Sequence, residues 1–384
     1  MAPTKQEQQL RIALVGAGKM GLQHARAIRT YGKLDLVACV DINRDALSAV
    51  ESATGLNPVG YTSLVQMLAA EQPDVVVVAT TTMHHYEPTL TALRGGSHVV
   101  CEKPMAWSLK QADMMIDAAT ESDRALLVNN EYNVHPRTRA VLDAVEQGLI
   151  GDIVGLRGTF KGNFVGGFDL AEGAPHVFSL AAQFCGIPKR VAAHFATGDK
   201  RSTKADIFDG RILPTLDGGW LVGDRVHTMV EFDHGIVMHV ELLGTKTTPA
   251  LVLLGTKGAL FLPYGATERG PLLGTDPNDP LTTWKPLDVS YPSFAPNDPV
   301  IDKDPDHVYT ELNLRSNAIA YENWSSWLLG GRIGEHPMSG QQGRRALEIV
   351  HASYQSHFDH SGDWVDLPLR DRGHALENRV RPTA

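Results

Sequence analysis

The sequence predicts an N-terminal α/β domain with a doubly wound parallel sheet, followed by an α+β domain with a large, mostly antiparallel sheet. Two observations carry this prediction. The first third of the chain alternates short, wholly apolar runs with helix-like stretches, as strands buried on both faces of a parallel sheet do. After about Gly151, longer segments alternate apolar with polar residues and are separated by turn residues, which is typical of antiparallel strands.

Five runs that are apolar at every position predict the strands of the first domain: residues 12–15, 36–40, 75–79, 99–101 and 126–128. Between the first two runs, Leu22, Ala25 and Ile28 recur at a spacing of three, so a helix over Gly21 to Tyr31 has one apolar face. Strand, helix and strand at this rhythm predict right-handed crossover connections.

The strands of the second domain are predicted from alternating segments: residues 153–160, 226–232, 236–243 and 251–254. Asp233-His234-Gly235 separates two of them and predicts a hairpin turn. Helices are predicted over 308–329 and 340–358. The stretch from Pro263 to Pro305 holds nine of the 22 prolines and is predicted to be a surface excursion, with a lid or an oligomer arm as the alternative.

Composition argues against several classes of protein. A chain of 384 residues is too long to fold around one ordinary hydrophobic core, so two domains are expected. Its net charge of −9, without a Lys/Arg block, argues against nucleic acid as the main partner. No apolar run approaches the roughly 20 residues of a membrane helix, and the polar start has no signal-peptide core. Cys39, Cys101 and Cys185 lack CxxC spacing, which favours a reducing, cytoplasmic location with neither disulfides nor a metal site.

A glycine-rich turn, Gly16-Ala17-Gly18-Lys19-Met20-Gly21, directly follows the first strand and opens a helix. In this context Gly16 permits a tight turn, Gly18 lets the backbone approach a pyrophosphate, and Gly21 lets the helix pack closely on the strand. The free amides around Lys19 and Met20 would face the phosphates. The motif therefore predicts a Rossmann domain that binds a dinucleotide.

The residue that ends the second strand bears on the choice of cofactor. Asp41 follows Gly21 by 20 residues, where a carboxylate can bond the ribose hydroxyls of the adenosine. Its charge would repel a 2′-phosphate and so favours NAD. Arg44 could accommodate that phosphate instead, which leaves NADP open.

A lysine stands where open α/β sheets bind their ligands. Glu102-Lys103-Pro104 follows the fourth apolar run, at the carboxyl end of a strand. An ammonium there could hydrogen-bond the reacting oxygen and stabilise charge that develops on it.

With these residues in place, the sequence resembles the Gfo/Idh/MocA family, named for glucose–fructose oxidoreductase, inositol dehydrogenase and a rhizopine-catabolism protein. The similarity covers nearly the whole chain, most clearly residues 11–186. Four features carry it: the glycine motif with Asp41, Ala79-Thr80 with His85, the run Ser97-His98-Val99-Val100-Cys101-Glu102-Lys103-Pro104, and Glu172-Gly173-Ala174-Pro175-His176.

The resemblance implies a role for each matching residue. Lys103 would bond the reacting hydroxyl and border the nicotinamide, and His176 would be the general base in oxidation and the acid in reduction. Glu172 would orient His176 and stabilise its charge, and Glu102 would lie near the nicotinamide ribose. The cofactor-binding set is predicted to be Gly16, Gly18, Lys19, Met20, Gly21, Asp41, Arg44, Thr80, His85, Glu102 and Lys103.

Substrate contacts are predicted for Lys103, Glu172 and His176, and for three residues in a segment that often faces the substrate in the family: Tyr132, Asn133 and His135. The sequence also departs from the family pattern at three places. Glu172 replaces the usual Asp, Thr81-Thr82 stand where many relatives have Pro-Asn, and Ser179 stands where an Asp often follows the histidine.

The function that the resemblance implies is hydride transfer between NAD(P) and a secondary alcohol on a sugar, sugar derivative or cyclitol. Two alternatives remain: a glycoside hydrolase or lyase that oxidises transiently with bound NAD, and a non-catalytic dinucleotide-binding sensor. The predicted domains are a flexible tail over 1–9, a cofactor-binding domain over 10–135, and a substrate-binding and oligomerisation domain over 136–384. A homodimer or homotetramer is expected, without a nucleic-acid or membrane partner.

Overall fold

The structure is a computed structural model, and it describes residues 9–160, 165–209, 219–245, 248–265, 270–274, 284–290 and 307–380. Of the predicted tail, residues 1–8 lie outside the described residues, as does most of the proline-rich segment. The alternatives of lid, oligomer arm or surface excursion for that segment therefore fall outside the described residues. Within the described part of the chain, no helix is long and apolar enough to span a bilayer.

The first half of the chain alternates strands and helices as predicted. Its strands are β1 (Leu10–Val15), β2 (Leu34–Val40), β3 (Val59–Tyr61), β4 (Val75–Val78), β5 (His98–Cys101) and β6 (Leu126–Val128). Its helices are α1 (Lys19–Tyr31), α2 (Arg44–Thr54), α3 (Leu64–Glu71), α4 (Tyr86–Arg94), α5 (Leu109–Glu121) and α6 (Pro136–Glu146).

The six strands form one parallel sheet in the order β3-β2-β1-β4-β5-β6. This order reverses direction at β1, so the carboxyl ends of β1 and β4 open a crevice where a dinucleotide can bind. The five predicted strands are present. One further strand, β3, was not predicted, because it is three residues long and largely exposed and therefore has no apolar pattern.

The remaining chain supplies a second, larger sheet and a separate pair of strands. Its strands are β7 (Ile153–Thr159), β8 (Pro188–Thr197), β9 (Lys200–Arg201), β10 (Phe208–Asp209), β11 (Trp220–Leu221), β12 (Arg225–Phe232), β13 (Val237–Leu242), β14 (Ala250–Gly255), β15 (Ala259–Pro263), β16 (Leu272–Gly274), β17 (Trp284–Pro286) and β18 (Val365–Asp366). Its helices are α7 (Gly166–Phe168), α8 (Ala174–Cys185), α9 (His307–Leu329) and α10 (Gly340–Asp359).

This sheet runs in the order β17-β16-β15-β14-β7-β13-β12-β8-β18, with β9 beside β8, while β10 and β11 pair separately. All of its pairings are antiparallel except that of β7 with β13, which confirms the prediction of a large, mostly antiparallel sheet. The predicted hairpin turn lies between β12 and β13, where His234 adopts a φ of 62°.

The C-terminal helices return to the first sheet. Tyr321 and Trp324 of α9 are buried in the same apolar cluster as Ile12 of β1 and Ile28 of α1. The backbone NH of Val128, at the end of β6, donates to the carbonyl of Met338 at 2.7 Å. Residues beyond 136 thus complete the packing of the cofactor-binding sheet and help to fix its edge.

Candidate active site

The glycine turn after β1 has the packing that a phosphate-binding turn requires. Gly16 has a φ of +92°, and a Cβ there would lie 2.7 Å from the carbonyl oxygen of Ala79. A Cβ on Gly21 would lie 2.0 Å from the carbonyl oxygen of Gly16. At Gly18, by contrast, an added Cβ meets no atom within 4 Å. The backbone is therefore closed behind the turn and open above Gly18, which fits a pyrophosphate at the start of α1.

The predicted adenosine contacts lie at the carboxyl end of β2. Asp41 Oδ2 accepts a hydrogen bond from the Ala17 NH at 2.7 Å, and Oδ1 accepts one from the Asn43 NH at 2.8 Å. These bonds fix the carboxylate beside the glycine turn. The next residue, Ile42, is 93% exposed, and Arg44 is exposed in the first turn of α2.

A buried histidine joins the segments that follow two neighbouring strands, β4 and β5. The ring nitrogens of His85 lie 2.8 Å from the Pro104 carbonyl oxygen and 3.0 Å from that of Thr80. Burial lowers the pKa of His85, although both carbonyls oppose the shift. The ring fixes the segment after β5, which carries Lys103, against the segment after β4. The structure thus gives Thr80 and His85 a supporting position at the cofactor crevice.

Glu102 is the centre of a buried polar network. Its Oε1 accepts from His24 Nε2 at 2.9 Å and from Asn129 Nδ2 at 2.7 Å, and its Oε2 accepts from the Lys103 NH at 3.1 Å. Burial disfavours the charged carboxylate, but the bond and charge of His24, with Lys103 and Asn129, outweigh burial and lower the pKa of Glu102 to about 2. Tyr321 of α9 completes the network at 2.6 Å from His24 Nδ1.

Two residues with predicted catalytic roles, Lys103 and Glu172, meet across the site. Lys103 Nζ donates to the backbone carbonyl of Glu172 at 3.1 Å and lies 3.9 Å from its carboxylate. Thr82 Oγ1 donates to the same carboxylate at 3.2 Å. Two departures from the family pattern, Thr82 and Glu172, therefore contact each other. Their bond holds the Glu172 carboxylate on the Lys103 side of the site.

His176 lies in the first turn of α8, directly after a π-helical turn over Asp169–Gly173. Its ring packs against two aromatic side chains, Tyr132 at a centroid distance of 4.8 Å and Phe160 at 6.5 Å. Only a glycine fits at 173, because a Cβ there would lie 2.1 Å from the Phe160 ring. These contacts leave the His176 side chain 8% exposed.

A carboxylate that the sequence reasoning did not single out lies beside this ring. Glu131 Oε2 is 3.7 Å from His176 Nδ1, and the Glu131 side chain is 9% exposed. Burial and, secondarily, the charge of Glu102 raise the pKa of Glu131 to about 7, while Lys103 opposes the shift. The sequence feature that could have indicated Glu131 is its position: it follows β6 as Lys103 follows β5, and these two strands are neighbours in the sheet.

The other predicted substrate contacts are buried and have structural partners. Asn133 Nδ2 donates to Ser179 Oγ at 2.7 Å and to the Pro337 carbonyl at 2.8 Å. His135 caps α6 by accepting from the Arg137 NH, and burial lowers the pKa of His135 to about 3. Tyr132 contacts the His176 ring. Substrate roles for all three stay predictions.

Comparison with known proteins gives three relevant matches. Residues 10–130 match the family described as "Oxidoreductase family, NAD-binding Rossmann fold". The D-glucoside 3-dehydrogenase of Escherichia coli K12 is 33% identical over 248 residues, covering 60% of this chain and 69% of that protein. The levoglucosan dehydrogenase of Pseudarthrobacter phenanthrenivorans is 27% identical, covering 67% of this chain and 74% of that protein.

Among solved structures, a levoglucosan dehydrogenase in complex with NADH and levoglucosan superimposes with a TM-score of 0.72. The match covers 94% of this chain and 100% of that chain at 21% identity. This likeness extends over both sheets and supports the fold.

Proposed function

Because the chain belongs to the Gfo/Idh/MocA family of NAD-binding oxidoreductases, we propose that it interconverts a secondary alcohol and a ketone on a sugar, sugar derivative or cyclitol. The observation that carries this proposal is that Lys103 contacts the segment that leads into His176. The backbone carbonyl of Glu172, four residues before His176, accepts from Lys103 Nζ, at the edge of the sheet that holds the glycine turn.

The residues divide the chemistry between them. Bound NAD supplies the acceptor for the substrate's hydride. Lys103 donates a hydrogen bond to the reacting oxygen and stabilises the negative charge that develops there. His176 takes the hydroxyl proton in oxidation and returns it in reduction, which is worth about 10²- to 10⁴-fold in rate for a positioned group. Tyr132 and Phe160 exclude water from one side of the imidazole.

Glu172 acts in this proposal at the substrate's edge of the site. Its carboxylate, bonded by Thr82 and 3.9 Å from Lys103 Nζ, stays beside the lysine and sets the position of the ammonium.

We propose that NAD is preferred to NADP. The Asp41 carboxylate is fixed by two backbone donors at the ribose position, where its charge opposes a 2′-phosphate. The following side chain, Ile42, offers that phosphate no cation. Arg44 is exposed at the first position of α2, two residues after Ile42, and its side chain would have to reach back across Asn43 to contact that phosphate.

The substrate to test first is a glucoside with a free secondary hydroxyl at carbon 3. The support is the name of the 33% identical relative, a D-glucoside 3-dehydrogenase, together with that of the levoglucosan dehydrogenase. The experiment follows nicotinamide absorbance with glucosides, other sugars and inositols, using NAD and NADP side by side. Lys103→Ala is expected to lower turnover by about 10²-fold or more. Lys110→Ala, at an exposed lysine on α5, is the matched control and retains turnover.

Three outcomes separate the functions. Reduction of NAD that collapses in Lys103→Ala supports the alcohol–ketone reaction. Glycoside cleavage without net reduction of NAD overturns it in favour of transient oxidation by a hydrolase or lyase. NADH binding without any product overturns catalysis on that panel and favours a sensor.

We further propose a cytoplasmic homodimer or homotetramer. The open face of the large sheet carries half-buried apolar side chains, among them Met229, Val237, Val252 and Phe261, which a second copy of the chain would cover. Sedimentation of the full chain and of Val252→Glu tests this. A fall to monomer in the variant supports the face as the interface, and a wild-type monomer overturns it.

A further inference from the structure

The end of β6 places a second carboxyl group against the predicted acid–base histidine. Glu131 begins the turn that follows β6, and its Oε2 lies 3.7 Å from His176 Nδ1. Both side chains are more than nine-tenths buried. Hydrogen bonds of catalytic groups are often long in the ligand-free state and tighten when substrate binds, so this separation is within reach of a working contact.

The Glu172 carboxylate is directed elsewhere. It accepts from Thr82 Oγ1 and pairs with Lys103, and it belongs to a π-helical turn rather than to the α-helix that carries His176. Among the residues that the structure describes, Glu131 is the carboxylate with an oxygen within 4 Å of a His176 ring nitrogen.

The surroundings of Glu131 and His176 strengthen the electrostatic interaction between them. Tyr132 and Phe160 pack against the imidazole and keep the local dielectric low. The titratable groups that face Glu131 are Glu102, which raises the pKa of Glu131, and Lys103 and the hydrogen-bonded Tyr132, which lower it. Burial raises that pKa to about 7, so the carboxyl can be ionised at neutral pH when a cation forms beside it.

We propose that Glu131 is the positioning carboxylate of His176. It accepts a hydrogen bond from Nδ1–H, which fixes the tautomer and leaves Nε2 to face the substrate hydroxyl. When the hydroxyl proton moves to Nε2, the carboxylate stabilises the resulting imidazolium. In reduction the same proton returns from Nε2 to the substrate oxygen. This inference rests on the proposed function of His176 as acid–base residue.

The first test is independent of activity. The ring proton signals of the full chain saturated with NADH are titrated by NMR, and the His176 signal is assigned by its loss in His176→Asn. Glu131→Gln removes the anion and is expected to lower the His176 midpoint by about one pH unit or more. The matched control, Glu172→Gln, is expected to move it by less than about half a unit, because that carboxylate faces Lys103.

The second test is kinetic. Glu131→Gln is expected to lower kcat for oxidation about 10²-fold with KM changed by less than about threefold, and to shift the acidic limb of the kcat profile to lower pH. Glu131→Asp keeps the charge one methylene further away and is expected to recover part of the loss. It also serves if the glutamine variant folds poorly.

The outcomes are distinguishable. A His176 midpoint that is unchanged in Glu131→Gln, or that moves more in Glu172→Gln, overturns the positioning role of Glu131. Activity that survives in His176→Asn overturns the proposed role of His176 as base, whatever the NMR titration reports about the pair.

Discussion

Substitution of Gly18 by alanine tests whether the open space above this residue serves cofactor binding rather than packing of the protein. An added Cβ at Gly18 meets no protein atom within 4 Å, and its φ of −69° suits alanine. We therefore expect the free energy of unfolding to fall by no more than about 1 kcal/mol, which is the cost of replacing the N-cap glycine of α1 with alanine, a poorer N-cap.

The affinity for NADH is expected to fall nonetheless. The methyl group occupies the volume through which a pyrophosphate reaches the amides of α1. Loss of a hydrogen bond to a charged group costs about 1.5 to 3 kcal/mol, which corresponds to roughly a 10- to 150-fold rise in Kd. Titration of NADH fluorescence measures Kd, and urea unfolding followed by tryptophan fluorescence measures stability.

Gly21→Ala is the matched control, because its Cβ would lie 2.0 Å from the carbonyl oxygen of Gly16. Helix α1 must move away from the turn, so stability is expected to fall by about 1 to 3 kcal/mol. An unchanged Kd in Gly18→Ala would refute the assignment of the open space to the pyrophosphate. A loss of stability as large as that of Gly21→Ala would refute the claim that the space is free of protein.

Three further changes test other parts of the site. Asp41→Ser removes the charge that opposes a 2′-phosphate. It should raise the KM for NAD about tenfold and reduce the preference for NAD over NADP, which steady-state kinetics with both cofactors would measure. Gly173→Ala should cost about 1 to 3 kcal/mol in urea unfolding by displacing the Phe160 ring, and Phe160→Leu should restore part of the loss. Glu131→Gln should unfold at higher urea than the wild type above pH 7 but not below about pH 4.5, and equal stability at both pH values would contradict the raised pKa of Glu131.

Much of the cofactor-binding half could be predicted because its signals are local. The glycine turn needs particular residues at fixed spacing, and the strands buried on both faces are apolar at every position. The family and its nicotinamide cofactor are confirmed by the comparisons. The short edge strand β3 was missed because exposed strands carry no such pattern.

The contact between Glu131 and His176 could not be predicted from sequence spacing. The family resemblance gave the role of orienting His176 to Glu172, four residues before it. Residues four apart lie on one face of a regular α-helix. The intervening π-helical turn over Asp169–Gly173 changes that register, since its hydrogen bonds span five residues. Glu131 approaches from 45 positions earlier in the chain, through the pairing of β5 with β6, and only the folded sheet brings it there.

The contrast between two buried carboxyl groups strengthens the case for a functional Glu131. Glu102 accepts three hydrogen bonds and ionises readily, with a pKa lowered to about 2. Glu131 has a folded pKa of about 7 against an ordinary value of 4.5, so the stability it contributes when protonated is lost as pH rises through 7. The cost above that pH is about 3 kcal/mol. A carboxyl buried at that cost beside the predicted base is in the position from which its charge can stabilise His176 during turnover, as the proposed positioning role requires.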